Sequence, residues 1–262
     1  LMDTFSEMKG HAVPSVVTGK PIFIGGSKGR TEATGHGVAH CTQLAADYLG
    51  IALKGKTVAI QGFGNEGTYA ATRLAKMGCK IVAVSDVSGG IHNAEGLDVN
   101  HVLKYISSRK VVRDYPRAEA ISNEDLLKLD VDVLIPAALG GVIDAEIAKE
   151  LKCRIMVEGA NGPVTAEADA ILKEREDESF IVPDVLANAG GVIVSYFEWV
   201  QGLQAFFWDV DEVNKRLFKI LDEAFAECIN FKKKFETDMR SATLMLGVHR
   251  VNEAMLTRGL FP

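Results

Sequence analysis

The chain of 262 residues is 47% hydrophobic and 24% charged, the composition of an ordinary globular protein with one large or two modest domains. Its net charge of −6 argues against a primary role in binding nucleic acid or anionic membranes, and no apolar run approaches the length of a membrane span. The four cysteines show neither C-x-x-C nor zinc-ligand spacing, which predicts reduced, structural thiols in a cytoplasmic protein.

The beginning of the chain, residues 1–35, is predicted to be irregular. Glycines and prolines recur there too often for a long helix or strand. Apolar positions at helical spacing then predict a helix over residues 37–49, which Thr31 or Thr34 could cap.

The most informative segment is KTVAIQGFGNEG. An apolar strand predicted over residues 54–61 leads into the turn Gly62-x-Gly64-x-x-Gly67, and a helix predicted over residues 66–77 follows. Gly62 permits a tight turn, Gly64 lets a diphosphate approach bare backbone, and Gly67 lets the helix pack closely on the strand. The helix start offers unpaired N–H groups and a positive dipole end to the phosphates. This unit predicts dinucleotide binding.

A second apolar strand, predicted over residues 80–85, ends at Asp86. This position lies about 20 residues beyond the glycine motif, where a ribose-binding carboxylate is expected. Asp86 would hold both ribose hydroxyls of NAD and repel the 2′-phosphate of NADP, so NAD is slightly preferred. Its alternative role is to cap a turn or helix. Residues 86–100 are predicted to form a loop, and residues 99–109 a helix.

The alternation of strands and helices continues to residue 182, and from residue 191 onward only helices are predicted. This order predicts an α/β fold, a doubly wound Rossmann-type mainly parallel sheet with a C-terminal helical segment. We assign residues 36–210 to the dinucleotide-binding domain and residues 211–262 to the C-terminal helices. The remaining predicted strands are residues 131–135, 154–158 and 180–182, and the remaining helices are residues 144–150, 165–176, 191–203, 211–235 and 238–258.

Small or polar residues follow all five predicted strands, where ligands bind in an open parallel sheet. They include Asn65, Ala138 and Asn161. The amide of Asn161 can pair with the carboxamide of a nicotinamide ring, although a turn residue before Gly-Pro is an equal alternative. Ser195 stands near the start of a predicted helix, and composition alone cannot separate substrate binding from a simple helix hydroxyl.

Other chemistries have no matching pattern in the sequence. The six histidines form no H-E-x-x-H or other metal-binding pattern, so no metal site is predicted. There is no G-x-S-x-G motif and no Walker lysine loop, which leaves hydrolase and kinase interpretations without support.

Several motifs, in order along the chain, resemble those of one family. The similarity covers essentially all 262 residues. It is to the nucleotide-binding part of the glutamate dehydrogenases, which belong to the wider group of glutamate, leucine, phenylalanine and valine dehydrogenases. The motifs are VTGKP, GGSKGR, ATGHGV, GFGNEG, SDVSGG, PAALGG, VEGANGPVT and PDVLANAGGVIVSYFEW.

The resemblance implies roles for particular residues. Ser195 would hydrogen-bond the side-chain carboxylate of the substrate, which favours glutamate over the substrates of the sister enzymes. His36 replaces the arginine of the family's common TGRG, which leaves local contacts open. The cofactor is NAD or NADP, since family members with an acid at the position of Asp86 use either. The implied cofactor-binding residues are Thr34, Gly62, Gly64, Asn65, Gly67, Asp86, Ala138 and Asn161.

The resemblance also implies that the catalytic residues lie outside this chain. In the family, an N-terminal substrate domain carries the catalytic lysines and aspartate, and residues 1–6 resemble the segment shortly after that aspartate. Residues 1–35 would then link the two domains. The full enzyme would be a homohexamer that reversibly deaminates L-glutamate to 2-oxoglutarate and ammonia. The alternatives are a non-catalytic NAD(P)-binding redox sensor or regulatory module, and a leucine, phenylalanine or valine dehydrogenase.

Overall fold

The fold is organised around one sheet of seven strands. A computed structural model describes residues 1–108 and 110–259. All five strands predicted from the sequence are present, with ends that differ by at most a few residues. The strands are β1 Thr57–Gln61, β2 Lys80–Asp86, β3 Gly89–His92, β4 Glu119–Ile121, β5 Val133–Pro136, β6 Ile155–Val157 and β7 Phe180–Val182.

The strand order is β4-β3-β2-β1-β5-β6-β7. Strands β2, β1, β5, β6 and β7 are parallel, while β3 and β4 are antiparallel to their neighbours. The chain moves from β1 outward to β2 and later returns to place β5 on the other side of β1. The order therefore reverses between β1 and β5, and the predicted mainly parallel, doubly wound sheet is confirmed.

The helices cover both faces of the sheet. Within the described residues they are α1 Met2–Lys9, α2 Ala33–Tyr48, α3 Asn65–Lys76, α4 Val99–Ser107, α5 Asn123–Leu127, α6 Ala145–Glu150, α7 Ala166–Glu174, α8 Asp184–Ala187, α9 Gly190–Gln204, α10 Val210–Phe235 and α11 Met239–Arg258. The helix predicted over residues 99–109 ends earlier, and its residue 109 lies outside the described residues, as do residues 260–262.

Side chains that alternate along a strand enter two separate cores. Val58 and Ile60 of β1 pack in the core shared with α2, α3, α9 and α10. Ala59 faces the opposite core, which α5, α6 and α7 complete. Because a strand's side chains alternate in direction, a strand that is covered on both faces appears in the sequence as a continuous apolar run. This is why the parallel strands were visible in the sequence.

Two predictions of irregular structure were wrong. Residues 86–100 contain β3, which pairs with β2 through a tight turn in which Asp86 opposes Gly89. Two of the four residues of β3 are glycines, so its own sequence gives no strand pattern, and pairing with a neighbour determines its conformation. Within residues 1–35, α1 forms a short helix that ends at Gly10, whose φ is 72°. No residue of α1 is buried, so it lacks the apolar face that would have revealed it.

The segment before α2 is anchored to α9 by a buried carboxylate. Glu198 is fully buried and accepts hydrogen bonds from the backbone N–H groups of Gly19 and Lys20, at 3.0 and 3.2 Å. The Nζ atom of Lys20 donates to the same carboxylate at 2.6 Å. Although burial acts to raise the pKa of Glu198, these hydrogen bonds lower it, so the carboxylate stays ionised.

The surface includes a short strand at one edge of the sheet and apolar side chains exposed on two helices. Strand β4 is only three residues long, and Glu119 and Ala120 are exposed. Over residues 1–108 and 110–259, no helix combines the length and apolar character needed to cross a membrane. Large apolar side chains are exposed on α9 and α11, namely Val192, Tyr196, Trp199, Leu203, Leu244, Met245, Val248, Val251, Met255 and Leu256.

Candidate functional site

A long groove crosses the carboxyl ends of the strands where the strand order reverses. Its first part is a cleft of about 520 Å³ lined by Gly62, Gly64, Asp86 and Ala138, among others. The second part, about 580 Å³, also includes Ala138 and is lined by Thr34, Glu66 and Asn161. The structure therefore brings six of the predicted cofactor residues to one groove. A topological switch point is where open α/β sheets bind ligands.

The three glycines of the β1–α3 turn differ in what surrounds them. Gly62 has a φ of 97°, and a Cβ atom there would lie 2.5 Å from the carbonyl oxygen of Ala137. A Cβ on Gly67 would collide with the carbonyl oxygen of Gly62. Gly64 has ordinary dihedral angles, and a Cβ placed there would meet nothing within 4 Å. The fold itself thus requires Gly62 and Gly67, whereas Gly64 borders open space.

The first turn of α3 borders that space. Gly64 is the N-cap residue of α3, and it has no side chain to satisfy the backbone N–H groups of the first turn. These groups and the helix dipole favour an anion. Asn65 begins the helix, and its Nδ2 donates to the carbonyl of Thr31 at 3.3 Å, so its side chain ties the turn to the segment before α2. The residues present therefore fit a diphosphate.

Asp86 has contacts of its own within the protein. Its Oδ1 accepts a hydrogen bond from the N–H of Ser88 at 2.7 Å, and its Oδ2 accepts one from Val112 N–H at 3.2 Å. Asp86 therefore caps a turn, as the alternative interpretation supposed. Ser88 Oγ also donates to Oδ1, at 2.5 Å, so the acceptor capacity that remains towards the cleft is on Oδ2.

Asn161 is oriented by a second asparagine. The Nδ2 atom of Asn188 donates to Asn161 Oδ1 at 2.7 Å and to the carbonyl oxygen of Gly159 at 2.9 Å. The N–H of Gly162 donates to Asp184 Oδ2 at 2.7 Å, which fixes the other side of the same loop. This arrangement occupies the oxygen of the Asn161 amide and leaves its NH₂ group to donate.

Ser195, on α9, lies beside an arginine. Arg30 Nε donates to Ser195 Oγ at 2.7 Å. A Cβ on Gly191 would lie 2.6 Å from Thr34 Oγ1 and 3.7 Å from Arg30 Nη1, so α2 and α9 meet closely here. Arg30 was not singled out from the sequence, although an arginine in a glycine-rich segment directly before a helix is a signal that could have been followed.

The comparison with protein families identifies the chain. A family model described as Glutamate/Leucine/Phenylalanine/Valine dehydrogenase matches residues 25–259. The chain belongs to this family. It is 53% identical over 262 residues to a glutamate dehydrogenase of Thermotoga maritima and 47% identical over 263 aligned residues to glutamate dehydrogenase A2 of Halobacterium salinarum. All of this chain is covered in both cases, against 62% and 63% of the relatives.

Solved structures give the same result for the fold. The hetero-hexameric glutamate dehydrogenase from Thermus thermophilus, in its leucine-bound form, matches with a TM-score of 0.92 at 35% identity, covering 100% of this chain and 61% of that one. The glutamate dehydrogenase of Peptoniphilus asaccharolyticus matches with a TM-score of 0.85 at 32% identity, covering 99% and 62%. The chain therefore has the Rossmann-like fold of an oxidoreductase family, and it spans about three fifths of the length of these relatives.

Sequence reasoning also missed Glu66, the second residue of α3. Its Oε1 is buried and has no hydrogen-bond partner among residues 1–108 and 110–259. A Cβ on Gly159 would collide with this oxygen, so the carboxyl group reaches across to the loop after β6. Burial raises the pKa of Glu66 to about 7. An acid inside the glycine motif was the available signal.

An ion pair lies behind the Asn161 loop. Glu158, fully buried at the end of β6, forms a bidentate pair with Arg240 of α11 and accepts a hydrogen bond from Asp184 N–H at 3.0 Å. Arg240 Nε also donates to Asp169 at 2.7 Å. Although burial acts to lower the pKa of Arg240, its hydrogen bonds with Glu158 and Asp169 raise it, so the guanidinium stays charged. Through Glu158 and Asp184, the C-terminal helix α11 is thereby connected to the Asn161 loop, which lines the groove.

The sulfur and metal chemistry of the chain is simple. The four cysteines are buried and unpaired. Burial raises the pKa of Cys41 to about 12 and of Cys153 to about 11, so neither is a nucleophile at neutral pH. No cluster of three or more potential metal ligands occurs within residues 1–108 and 110–259.

Proposed function

We propose that this chain is the cofactor-binding part of an NAD(P)-dependent glutamate dehydrogenase. The observation that carries the proposal is the open backbone at Gly64, at the N-terminus of α3, within a groove that also contains Asp86 and Asn161. A diphosphate on the α3 N-terminus would place a ribose at one end of the groove and a nicotinamide at the other. The family match and the similar fold of solved glutamate dehydrogenases support this assignment.

In this proposal each residue has a defined task towards the cofactor. Gly62 and Gly67 shape the turn, Gly64 and Asn65 present backbone N–H groups to the diphosphate, and Asp86 binds a ribose. The remaining contacts come from the other end of the groove, where small side chains admit the ring and polar ones orient its carboxamide: Thr34, Ala138 and Asn161. When bound, the cofactor accepts a hydride from the α-carbon of the amino acid.

The substrate side of the proposal depends on Arg30 and Ser195. A guanidinium that shares a hydrogen bond with a serine hydroxyl presents a charge and two donors to a carboxylate. A side-chain carboxylate distinguishes glutamate from leucine, phenylalanine and valine, so this pair favours glutamate. The reaction of the whole enzyme would then be the reversible oxidative deamination of L-glutamate to 2-oxoglutarate and ammonia.

The cofactor preference is proposed on charge. The carboxylate of Asp86 would repel the 2′-phosphate of NADP, which gives NAD a slight advantage. Titrations of the chain with NADH and with NADPH at one salt concentration would measure it. Tighter binding of NADPH than of NADH would contradict the preference.

We further propose that the active enzyme is a longer, cytoplasmic protein that assembles as a homohexamer. The chain spans 62% of the Thermotoga relative, and the described residues contain no candidate lysine–aspartate pair in the groove. Residues 36–210 and the helices of residues 211–262 form the cofactor-binding part. Residues 1–35 would link it to a domain that supplies the catalytic groups.

The proposal predicts that the chain alone binds dinucleotides but turns over negligibly. NADH binding would be followed by its fluorescence, and turnover by loss of NADH absorbance with 2-oxoglutarate and ammonia. Binding without turnover is expected. Ammonia-dependent turnover at the rate of a whole enzyme would contradict the absence of catalytic residues, and absence of binding would contradict the cofactor site itself.

A further inference from the structure

Glu66 is the one titratable side chain among the described residues that line the second part of the groove. It occupies the second position of α3, two residues after Gly64. Its Oε1 is buried and unpartnered, and it stands against the backbone of Gly159. A buried oxygen without a partner has a free-energy cost that the fold does not recover on its own. The carboxyl group also lines the groove, so a ligand bound there can exchange a hydrogen bond with its other oxygen, Oε2.

The surroundings of Glu66 are uncharged. Thr34 of α2, Ala137 and Ala138 after β5, and Gly159 and Asn161 after β6 line the same part of the groove, together with Asn188 and Val192 at the start of the α9 region. Burial is the cause of the raised pKa, which at about 7 leaves the carboxyl group protonated in mildly acidic solution. The dipole of α3 favours the ionised form, but the burial of the carboxyl outweighs it.

The charged groups of the neighbouring elements are engaged elsewhere. Arg30, before α2, donates to Ser195. Glu32 precedes α2, is half-buried, and has the same charge sign as an ionised Glu66, so it cannot compensate that charge. His36 of α2 has its pKa lowered by burial first and by Arg73 of α3 second, so it is neutral at pH 7 and does not add a second titration above it. Among the residues that the structure describes, no opposite charge therefore compensates an ionised Glu66.

We propose that Glu66 is a further cofactor-binding residue, which contacts the dinucleotide as a neutral carboxylic acid and donates its O–H to a ribose-phosphate oxygen. This inference rests on the proposed function, because it assumes that the groove holds a dinucleotide. A neutral acid can donate to an anionic or hydroxyl oxygen, whereas a carboxylate beside a diphosphate would repel it. Ionisation of Glu66 therefore weakens binding.

The sign of the pH effect follows from linkage. Below pH 7 the side chain is already protonated, so the dissociation constant is flat. Above pH 7 the free chain must take up a proton to bind, and the dissociation constant rises until the pH passes the higher pKa of the complex. If bound dinucleotide raises the pKa of Glu66 by one, the rise is about tenfold.

The test is a fluorescence titration with NADH between pH 6 and 8.5 at constant ionic strength. Glu66→Gln keeps an N–H donor and cannot ionise, so its dissociation constant should change less than about twofold over this range. Glu146→Gln is the matched control, because Glu146 is the exposed second residue of α6 and lies away from the groove. It should keep the pH step of the wild type. Thermal melts at both pH limits verify that each variant is folded.

Calorimetry gives a second readout that a structural role would not change. Titrations at pH 7.5 in two buffers of different ionisation enthalpy measure the protons taken up on binding. The wild type and Glu146→Gln should take up a fraction of a proton, and Glu66→Gln none. Identical pH profiles and proton uptake in the wild type and Glu66→Gln would overturn the inference. Absence of NADH binding at every pH, in every variant, would overturn the proposed function and this inference with it.

Discussion

The glycines of the β1–α3 turn differ in whether the fold requires them or whether they border the space proposed for the ligand. A side chain at position 67 would collide with the backbone of Gly62, whereas one at position 64 would project into open space. The sequence motif already predicts a different role for each glycine. The contacts around Gly62 and Gly67 give the physical reason why the fold requires these two, and the binding role of Gly64 stays a prediction.

We expect Gly64→Ala to leave the free energy of unfolding within about 0.5 kcal/mol of the wild type, because its dihedral angles and surroundings accept a methyl group. The methyl would occupy the space proposed for the diphosphate, so NADH affinity should fall at least about tenfold. Gly67→Ala should instead lose about 3 kcal/mol or more of stability through overlap with Gly62. Urea denaturation and NADH titration measure both effects.

The contrast between the two variants is what matters. Equal destabilisation by Gly64→Ala and Gly67→Ala would contradict the distinction between fold and ligand. Unchanged NADH affinity in a folded Gly64→Ala variant would contradict the placement of the diphosphate.

Glu66 should also affect stability without any ligand. Its pKa in the folded chain, about 7, lies above the value of about 4.5 for an exposed glutamate, so the folded state binds its proton more tightly than the unfolded state. The contribution of Glu66 to stability is therefore full below about pH 4.5 and declines between pH 4.5 and 7. By pH 8 its ionisation should cost up to about 3 kcal/mol, which Glu66→Gln should recover.

This expectation is checked by urea denaturation of the wild type and Glu66→Gln at pH 5 and pH 8. The advantage of the variant should be larger at pH 8. The same advantage at both pH values would show that the carboxyl group does not titrate in this range.

The sequence could predict residues whose role follows from local spacing. Gly62, Gly64 and Asp86 follow directly from the strand–turn–helix–strand unit, and the structure places all three in one cleft. Arg30 and Glu66 stand in recognisable sequence contexts, before a helix and inside the glycine motif, but these contexts do not give their roles. Their significance depends on which side chain or backbone approaches them from a distant part of the chain, and spacing along the sequence does not contain that information.

Among the elements, α11 has an unexpected connection to the groove. Arg240 pairs with the fully buried Glu158, which also holds the backbone of Asp184, and Asp184 holds the loop of Asn161. A helix at the far end of the chain thereby positions a residue proposed to face the nicotinamide. The sequence-based boundary at residue 211 gave no indication of this contact.

We expect Arg240→Met to lose about 3–5 kcal/mol of stability, because Glu158 would be left as an unpaired buried charge. Lys173→Met is the control: Lys173 also pairs with Asp169, but it is substantially exposed and should contribute less than about 1 kcal/mol. Adding Glu158→Met to Arg240→Met should recover part of the loss, since it removes the unpaired charge. Urea denaturation measures all three, and similar losses for Arg240→Met and Lys173→Met would contradict the role of the pair.

Short elements were the least predictable. Strand β3 has two glycines and β4 has two exposed residues, so neither has an apolar face that appears in the sequence. Both exist because each supplies hydrogen bonds to a neighbouring strand. The parallel strands, by contrast, are buried on both faces and appear as apolar runs. The sequence thus predicts the parallel strands, including β7 at one edge of the sheet, and misses the antiparallel strands β3 and β4 at the other edge.

At the scale of the whole molecule, the reactivity of the cysteine thiols measures whether the fold opens locally or only on global unfolding. Cys41 and Cys228 lie on α2 and α10, and Cys79 and Cys153 lie in the loops before β2 and β6. Burial raises the pKa of each thiol, to about 11 for Cys79 and about 12 for Cys41. We expect no reaction with a thiol reagent such as 5,5′-dithiobis(2-nitrobenzoic acid) in the native state at pH 8. All four thiols should react when urea unfolds the chain, with a rate that follows the loss of circular dichroism. Rapid reaction of any thiol in the native chain would indicate local opening around it.

The short edge strand β4 and the exposed apolar side chains of α9 and α11 determine how the chain should self-associate at high concentration. β4 offers only three residues, with a carboxylate at its start, so it is a poor template for the growth of amyloid. The exposed apolar side chains lie on α9 and α11, and they can associate with those of another molecule without any rearrangement of the backbone. Assemblies formed at high concentration should therefore dissolve again on dilution, and thioflavin fluorescence should stay at its baseline while light scattering rises.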